Sequence, residues 1–152
     1  MPFRLTLQQQ VEYDTVPAVE AIYVWENPAV LRAAPAELGT TSAALICTGG
    51  IPSAACHKLL TGCPRPRRRA DFDWTRLRIL ASARLRHGAI PWRMGAADYS
   101  IGLELGESTP LTGSPAANLW DPVLAVRMAA AGRAVMEERL IPALLSDLTR
   151  TR

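Results

Sequence analysis

Three stretches of the chain share one order, in which a short apolar run is followed by a turn and then by residues with helical spacing. The apolar runs lie at residues 19–25 and 43–47, and a less regular third run ends at residues 71–73. A fourth strand is predicted at residues 89–94. Strands that alternate with helices pair in parallel and bury both faces of their sheet under the helices. The sequence therefore predicts an α/β domain with an open, mostly parallel four-stranded sheet flanked by helices.

Capping residues indicate where the first helices begin and end. Asn27 and Pro28 predict a helix start after the first strand, because proline has no N–H to lose at the first helical position. Pro35 is expected to interrupt that helix and keep it short. After the second strand, Ser53 is predicted to cap a helix that Gly62 ends.

Two further helices are predicted in the second half. One covers residues 74–87 and ends at Gly88, and the other is a long C-terminal helix that opens at Asp121 and Pro122. Pro142 should kink the long helix or divide it in two. The apolar face of the 74–87 helix is assigned to Leu77, Leu80 and Leu85. The strand before that helix follows a run of prolines and arginines, so it is expected to be short or to lie near an edge.

The chain has the size and composition of one globular domain. Of its 152 residues, 49% are apolar and 20% are charged, which suffices for a hydrophobic core. We assign residues 1–17 to an N-terminal extension, 18–148 to the domain and 149–152 to a tail. No apolar run approaches the roughly 18 residues of a membrane span and no signal peptide is recognisable, so a cytoplasmic protein is expected. Three cysteines without C-x-x-C spacing favour neither a disulfide framework nor a zinc site.

Arginines are concentrated in the middle of the chain. The net charge is only +3, but one basic stretch holds Arg65, Arg67, Arg68, Arg69, Arg76, Arg78, Arg84 and Arg86. Arginine binds phosphate well through its planar fork, so a nucleic-acid partner is compatible with this stretch. The alternative is a solvated loop and helix face.

Acidic residues follow two of the predicted strands. Glu26 lies at the carboxyl end of the first strand, and Asp71 and Asp73 lie at that end of the third. Open α/β sheets bind ligands beyond these ends, and residues i and i+2 of a strand point to one face. Three carboxylates there suit Mg²⁺ or Mn²⁺, which can assist phosphodiester hydrolysis. The alternatives are a solvated loop residue for Glu26 and a turn or helix cap for the Asp-x-Asp.

Several short motifs occur in a fixed order. They are VWENP at residues 24–28, CTGGIPS at 47–53, ADFDW at 70–74 and PWRMGAADY at 91–99, followed by WDP at 120–122, EE at 137–138 and LLSDL at 144–148. In these motifs the chain resembles the C-terminal Toprim domain of the nuclease subunit found beside SMC-like complexes in bacterial Wadjet anti-plasmid systems. That domain is similar to the Toprim domain of the topoisomerase VI A subunit. The resemblance covers about residues 18–148.

The resemblance implies a role for each matched residue. Glu26 would be the Toprim glutamate, acting as a metal ligand or general acid/base, and Asp71 and Asp73 would be the Asp-x-Asp metal ligands. Either Glu137 or Glu138 would complete the metal site, unless the pair lies on an exposed helix face. The residues expected to bind phosphate or DNA are Gly49, Gly50, Ser53, Arg67, Arg68 and Arg69.

The resemblance also implies an activity and partners. The chain is expected to be a Mg²⁺- or Mn²⁺-dependent endonuclease domain of a plasmid-restricting, SMC-like defence complex. Its partners would be DNA and the subunits of that complex, with no membrane. Because the family carries a large N-terminal region, the chain is expected to be a truncated reading frame or to work with a separate N-terminal fragment. A homodimer is left open.

The chain departs from the family's pattern beside the aspartates. Ala70 and Arg76 stand where the family usually has glycine, and the strand that leads to them is normally more apolar. These departures favour the alternative of a non-catalytic, degenerate Toprim module that binds a partner subunit. A phosphoacceptor domain of flavodoxin-like shape is disfavoured, because it would need a lysine near the aspartates. The only lysine, Lys58, lies on the helix after the second strand.

Overall fold

The centre of the fold is a parallel sheet, seen in a computed structural model that describes residues 21–38, 42–63, 65–117 and 119–149. Its four strands lie in the order β2-β1-β3-β4. They are β1 (Ile22–Trp25), β2 (Ala44–Cys47), β3 (Arg67–Arg68) and β4 (Ile90–Pro91). The predicted fold class, an α/β domain with a four-stranded parallel sheet flanked by helices and with a C-terminal helix, is confirmed.

Six α-helices connect or follow the strands in the described ranges. They are α1 (Pro28–Leu38), α2 (Ala54–Thr61), α3 (Trp74–His87), α4 (Ala96–Glu104), α5 (Pro122–Ala131) and α6 (Ile141–Leu148). A 3-10 turn (Glu137–Leu140) leads into α6, and an antiparallel ladder joins β5 (Thr109–Pro110) to β6 (Arg133–Ala134). Within this part of the chain, no helix has the length and apolar character needed to cross a membrane.

The helix boundaries follow the capping residues of the sequence. The Ser53 hydroxyl accepts the N–H of Cys56 at 3.3 Å and starts α2 as predicted, with Gly62 at its end. Helix α3 covers the predicted residues and ends at Gly88, whose φ of 62° suits glycine because it has no Cβ. Residues at the ends of the two helices therefore determine where each helix begins and ends.

Two predictions about helix breaks were wrong. Helix α1 continues past Pro35 to Leu38, because a proline removes one backbone hydrogen bond while the neighbouring turns can stay bonded. The predicted long C-terminal helix is two helices, since Gly132, with φ 61°, ends α5 and the chain then enters β6. Pro142 neither kinks nor divides a helix, because it lies in the first turn of α6.

The assignment of Leu85 to the buried face of α3 was also wrong, because this side chain is 93% exposed. The helix instead buries Trp74, Leu77, Leu80 and Ala83. Leu85 follows Leu80 by five positions, which turns it about 140° away around the helix.

Strand β3 is short, as predicted, and it is an interior strand that lies between β1 and the edge strand β4. Pro66 is tolerated beside it because it contributes only its carbonyl, which accepts the N–H of Ile90 at 2.9 Å. Arg68 and Arg69 are 2% and 0% exposed. Successive residues of an extended segment point to opposite faces, so this strand buries charge on both sides of the sheet.

Aromatic residues dominate the larger of two apolar clusters. Trp92 meets Tyr23 and Trp25 edge-on, with ring centroids 4.5 and 5.1 Å apart. Trp25, Trp74 and Trp92 are buried. On α6, the Asp147 carboxylate accepts hydrogen bonds of 2.8 Å from Trp92 Nε1 and 2.5 Å from Arg93 Nε. This carboxylate ties the last helix to the sheet.

Gly102 of α4 should not tolerate a side chain. A Cβ at this position would lie 2.6 Å from Cγ1 of Val135, whose branched side chain has few alternative rotamers. We expect Gly102→Ala to destabilise the protein by about 1–3 kcal/mol, although alanine favours helix. Circular dichroism should record a melting temperature lower by roughly 2–12 °C.

A second variant separates this contact from other effects. Val135→Ala makes room for the new methyl group, so Gly102→Ala should cost less in that background than in the wild type. A melting temperature raised by Gly102→Ala alone would contradict the close contact.

Candidate acidic site at the carboxyl edge of the sheet

Four acidic residues from three parts of the chain lie together beyond the carboxyl ends of β1 and β3. Glu26 follows β1, Asp71 and Asp73 lie between β3 and α3, and Glu137 begins the 3-10 turn. The charges of both aspartates act on the Glu26 carboxyl group, and those of Glu26 and Asp71 act on Glu137. The structure thus brings together the three acidic residues predicted from the strand ends.

The C-terminal member of this cluster reaches the sheet through a backbone bridge. Phe72 and Val135 exchange hydrogen bonds of 2.8 and 3.3 Å. Two residues further on, the N–H of Glu137 donates to Oδ1 of Asp71 at 2.8 Å. One oxygen of Asp71 is therefore held by the backbone, and Glu137 is fixed beside it.

The two adjacent glutamates have different surroundings. Glu137 is 1% exposed, and its Oε1 accepts the N–H of Asn27 at 2.6 Å. Its Oε2 is buried and has no hydrogen-bond partner among the described residues. Glu138 is exposed, and its Oε1 accepts a hydrogen bond from the Asn27 side-chain amide. Of the two glutamates that the sequence left open, Glu137 is the one buried in the cluster, while the exposed Glu138 acts on it through its charge, which raises the pKa of Asp71.

Arg76 is the nearest cation to Glu26. The Nε of Arg76 lies 2.8 Å from Oε1 of Glu26. Neither atom is aligned for a hydrogen bond, so the contact is an ion pair that depends mainly on charge. Because Glu26 is nearly buried, this pairing lowers the cost of keeping its carboxylate ionised.

Asp73 has the helix-cap role that was the alternative for it. Its Oδ1 accepts the N–H of Arg76 at 2.8 Å, at the start of α3. The prediction that Asp71 and Asp73 share one face of a strand was wrong, because β3 already ends at Arg68. The two aspartates still lie close enough for the charge of Asp73 to raise the pKa of Asp71.

Burial and mutual repulsion raise the pKa of three carboxyl groups. Burial, followed by the charge of Asp71, raises the pKa of Glu137 to about 8. Burial also raises the pKa of Glu26, an effect that Arg76 opposes, and it raises the pKa of Asp71, which the N–H of Glu137 opposes. Near neutral pH, Glu137 is therefore largely protonated, which reduces the repulsion inside the cluster.

The cluster fits a hard divalent cation in its chemistry, because it offers carboxylate oxygens and one of them, Glu137 Oε2, is buried without a partner. It does not have the geometry of a formed metal site. Among the residues that the structure describes, no three Asp, Glu, His or Cys side chains are grouped so that they could hold an ion. Glu26 and Asp73 are both engaged with Arg76 instead, so the ligands would have to rearrange.

The predicted phosphate-binding turn forms, but its polar groups have other partners. Gly49 and Gly50 have φ angles of 63° and 109°, which only glycine adopts readily. The Gly49 N–H donates to the carbonyl of Glu26 at 3.1 Å, and the Ser53 hydroxyl caps α2. Through these contacts the turn supports the edge of the sheet beside Glu26.

The predicted basic contacts are divided between the surface and the core. Arg67 is exposed and donates to the Tyr23 hydroxyl at 3.0 Å. Arg68 and Arg69 are buried, so their guanidinium groups do not reach the surface. Burial lowers the pKa of Arg69 to about 10, and the charges of Glu137, Asp98 and Asp71 oppose this shift.

Sequence reasoning missed two features of the site. It treated Arg76 only as a departure from a glycine and did not pair it with Glu26. It also treated Arg68 and Arg69 as surface groups, because nothing in the sequence shows that β3 is an interior strand. The available signal was the position of Arg76 three residues after the helix cap Asp73, which places its side chain on the first turn of α3.

A family model described as "Protein of unknown function C-terminus (DUF2399)" matches residues 3–148. The matched range includes every residue of the acidic cluster. No curated protein and no solved structure matches the chain.

Glu137→Gln should stabilise the protein at neutral and mildly alkaline pH. The pKa of Glu137 rises from 4.5 to about 8 on folding, so the folded state prefers the protonated carboxyl group. The stability linked to this proton is complete below about pH 4 and is lost as the pH rises to about 8. Glutamine keeps the size and the Asn27 contact without ionising. We expect the melting temperature of the variant to exceed that of the wild type by several degrees near pH 8, and by less near pH 5.

The exposed neighbour provides the control. Glu138→Gln makes the same substitution on an exposed side chain one residue away, and the gain between pH 5 and pH 8 should be larger for Glu137→Gln than for this control. A Glu137→Gln difference that is constant with pH would contradict the raised pKa.

Proposed function

Because the chain belongs to the DUF2399 C-terminal family, whose description leaves the activity open, we propose a function from the site itself: metal-dependent hydrolysis of DNA phosphodiester bonds. The observation that carries the proposal is the convergence of Glu26, Asp71 and Glu137, from three separate segments, on one edge of a parallel sheet. Carboxyl groups with raised pKa values, gathered in one place, are characteristic of functional sites. The carboxyl edge of a parallel sheet is also where such folds bind their ligands.

Each residue has a defined part in this proposal. Glu26, Asp71 and Glu137 supply ligands for Mg²⁺ or Mn²⁺, with Asp73 adding negative charge. The bound ion would stabilise charge that develops on the phosphodiester and help to generate the attacking hydroxide. The N–H of Glu137 orients Asp71, and the N–H of Asn27 orients Glu137. The proton on Glu137 must leave before its second oxygen can act as a ligand.

The Toprim-like motifs support the biological setting. We propose DNA as the substrate and the subunits of an SMC-like, plasmid-restricting complex as the partners. Exposed cations on α2, α3, β3 and the segment before β3 would attract a DNA backbone at long range. These exposed residues are Lys58, Arg65, Arg67, Arg78, Arg84 and Arg86.

A non-catalytic module that binds a partner subunit is the second candidate. It is favoured by the ion pair between Arg76 and Glu26 and by the lack of a three-ligand group among the described residues. In that case Arg76 would neutralise an acidic edge that no longer binds metal. The two candidates differ in whether the carboxylates are needed for DNA cleavage.

Nicking of supercoiled plasmid in Mg²⁺ or Mn²⁺ tests the first candidate. Glu26→Gln and Asp71→Asn should each lower the nicking rate by about 100-fold or more, because each removes a charged ligand. Asp73→Asn is informative in a different way, since asparagine caps helices as well as aspartate does. Any loss of activity in that variant would therefore result from the lost negative charge of Asp73 and not from a less stable α3.

Glu104→Gln, on the exposed end of α4, is the matched control and should cleave like the wild type. Cleavage that persists in both Glu26→Gln and Asp71→Asn would contradict the proposed site. No cleavage by folded wild-type protein in either metal would favour the non-catalytic module.

A further inference from the structure

A polar pocket lies beside the acidic cluster, between the first turn of α3 and the β5–β6 ladder. Its volume is about 190 Å³. At about 30 Å³ per water molecule, this is room for roughly six waters, or for one phosphate group with part of its hydration. Its hydroxyl-bearing lining residues are Thr75, Thr109 and Thr112. All three threonines are exposed, so the pocket is open to solvent.

Arg76 belongs to both the pocket and the acidic cluster. It lines the pocket, while its Nε faces Glu26 at 2.8 Å. Among the described residues, no hydrogen bond is formed by its two terminal nitrogens, and the side chain is 33% exposed. A guanidinium group presents several N–H groups in a fixed plane, so the terminal nitrogens of Arg76 can contact an anion in the pocket.

We propose that this pocket binds one phosphate group of the DNA backbone, with Arg76 as its cationic contact and the threonine hydroxyls as additional donors. The ligand chemistry is that of a phosphate oxyanion, for which a guanidinium fork is the matching donor. Asp73 also lines the pocket, but one of its oxygens already accepts the N–H of Arg76. The inference rests on the proposed function in taking DNA as the source of the phosphate.

Because Arg76 also pairs with Glu26, phosphate binding in the pocket would affect the Glu26 carboxylate. Among the cations around Glu26, Arg76 lowers the pKa of its carboxyl group the most. A phosphate in the pocket competes with Glu26 for the same guanidinium group, so DNA binding weakens the ion pair. The Glu26 carboxylate then becomes available at the site where the substrate is held. In this proposal Arg76 is thus a substrate-binding residue.

Binding of a fluorescently labelled DNA duplex in EDTA, followed by anisotropy at several salt concentrations, tests the proposal without requiring cleavage. Arg76→Gln should weaken binding by about tenfold and reduce the slope of log K against log[salt] by about 0.9, the value for one lost phosphate contact. Thr112→Val should weaken binding by about 2–10-fold through one lost hydrogen bond. Arg127→Gln, an exposed arginine on α5 outside the pocket, is the control and should bind like the wild type.

Two further variants separate direct contact from a change in local charge. If Arg76 acted only by neutralising Glu26, the double variant Glu26→Gln/Arg76→Gln would regain wild-type affinity. We expect it to stay weak, because the phosphate contact is still missing. Arg76→Lys should fall between wild type and Arg76→Gln, since it keeps the charge but loses the planar fork.

The outcomes also separate this inference from the proposed function. Wild-type affinity in Arg76→Gln, or recovery in the double variant, would overturn the pocket assignment even if the protein nicks DNA. Binding that depends on Arg76 without any nicking would uphold the pocket and count against catalysis. Inorganic phosphate should compete with DNA in the wild type. Phosphate binding that depends on Arg76, in a protein that does not bind DNA, would overturn DNA as the source.

Discussion

The hydrogen bonds exchanged by Phe72 and Val135 determine where the C-terminal part of the chain lies. They hold the segment after β6 against the segment after β3. Val135 then packs onto Gly102, and the backbone of Glu137 reaches Asp71. One wall of the polar pocket comes from the same segment. Core packing, the acidic cluster and the pocket therefore share one local pairing, so a shift of that pairing would change all three.

Acidic and basic side chains lie next to each other at this edge of the sheet. The acidic cluster lies beyond the strand ends, and the buried guanidinium groups of Arg68 and Arg69 lie close enough for the charge of Glu137 to act on both. Isolated buried charges are expensive, and opposite charges nearby offset part of that cost. The acidic groups thus help to stabilise the arginines of β3, and the arginines limit the repulsion among the carboxylates. The proposed hydrolysis and the stability of the fold would therefore depend on the same charged groups.

The sequence predicted those features that depend on local chemistry. The positions of β1, β2 and β4, the α3 boundaries and the cap at Ser53 follow from residues close in the chain, and the structure confirms them. The third strand was predicted to end at residues 71–73, whereas β3 ends at Arg68. The convergence of Glu26 with the aspartates followed from the general geometry of parallel sheets. The break at Gly132 and the interior position of β3 depend on tertiary pairing, which no local pattern encodes. The choice of Glu137 over Glu138 likewise depends on which side chain the Phe72–Val135 pairing turns inward.

The hydrogen bond between Asn27 and Glu137 joins residues 110 positions apart. Forming a contact of such sequence separation requires the closure of a long loop, which costs chain entropy before the contact repays it. A chain that is still being synthesised, or is only partly folded, would carry Glu26 and the aspartates without the residue that completes their surroundings. The complete acidic cluster thus exists only in the fully folded protein, and incomplete or partly folded chains would lack the chemical properties of the assembled cluster.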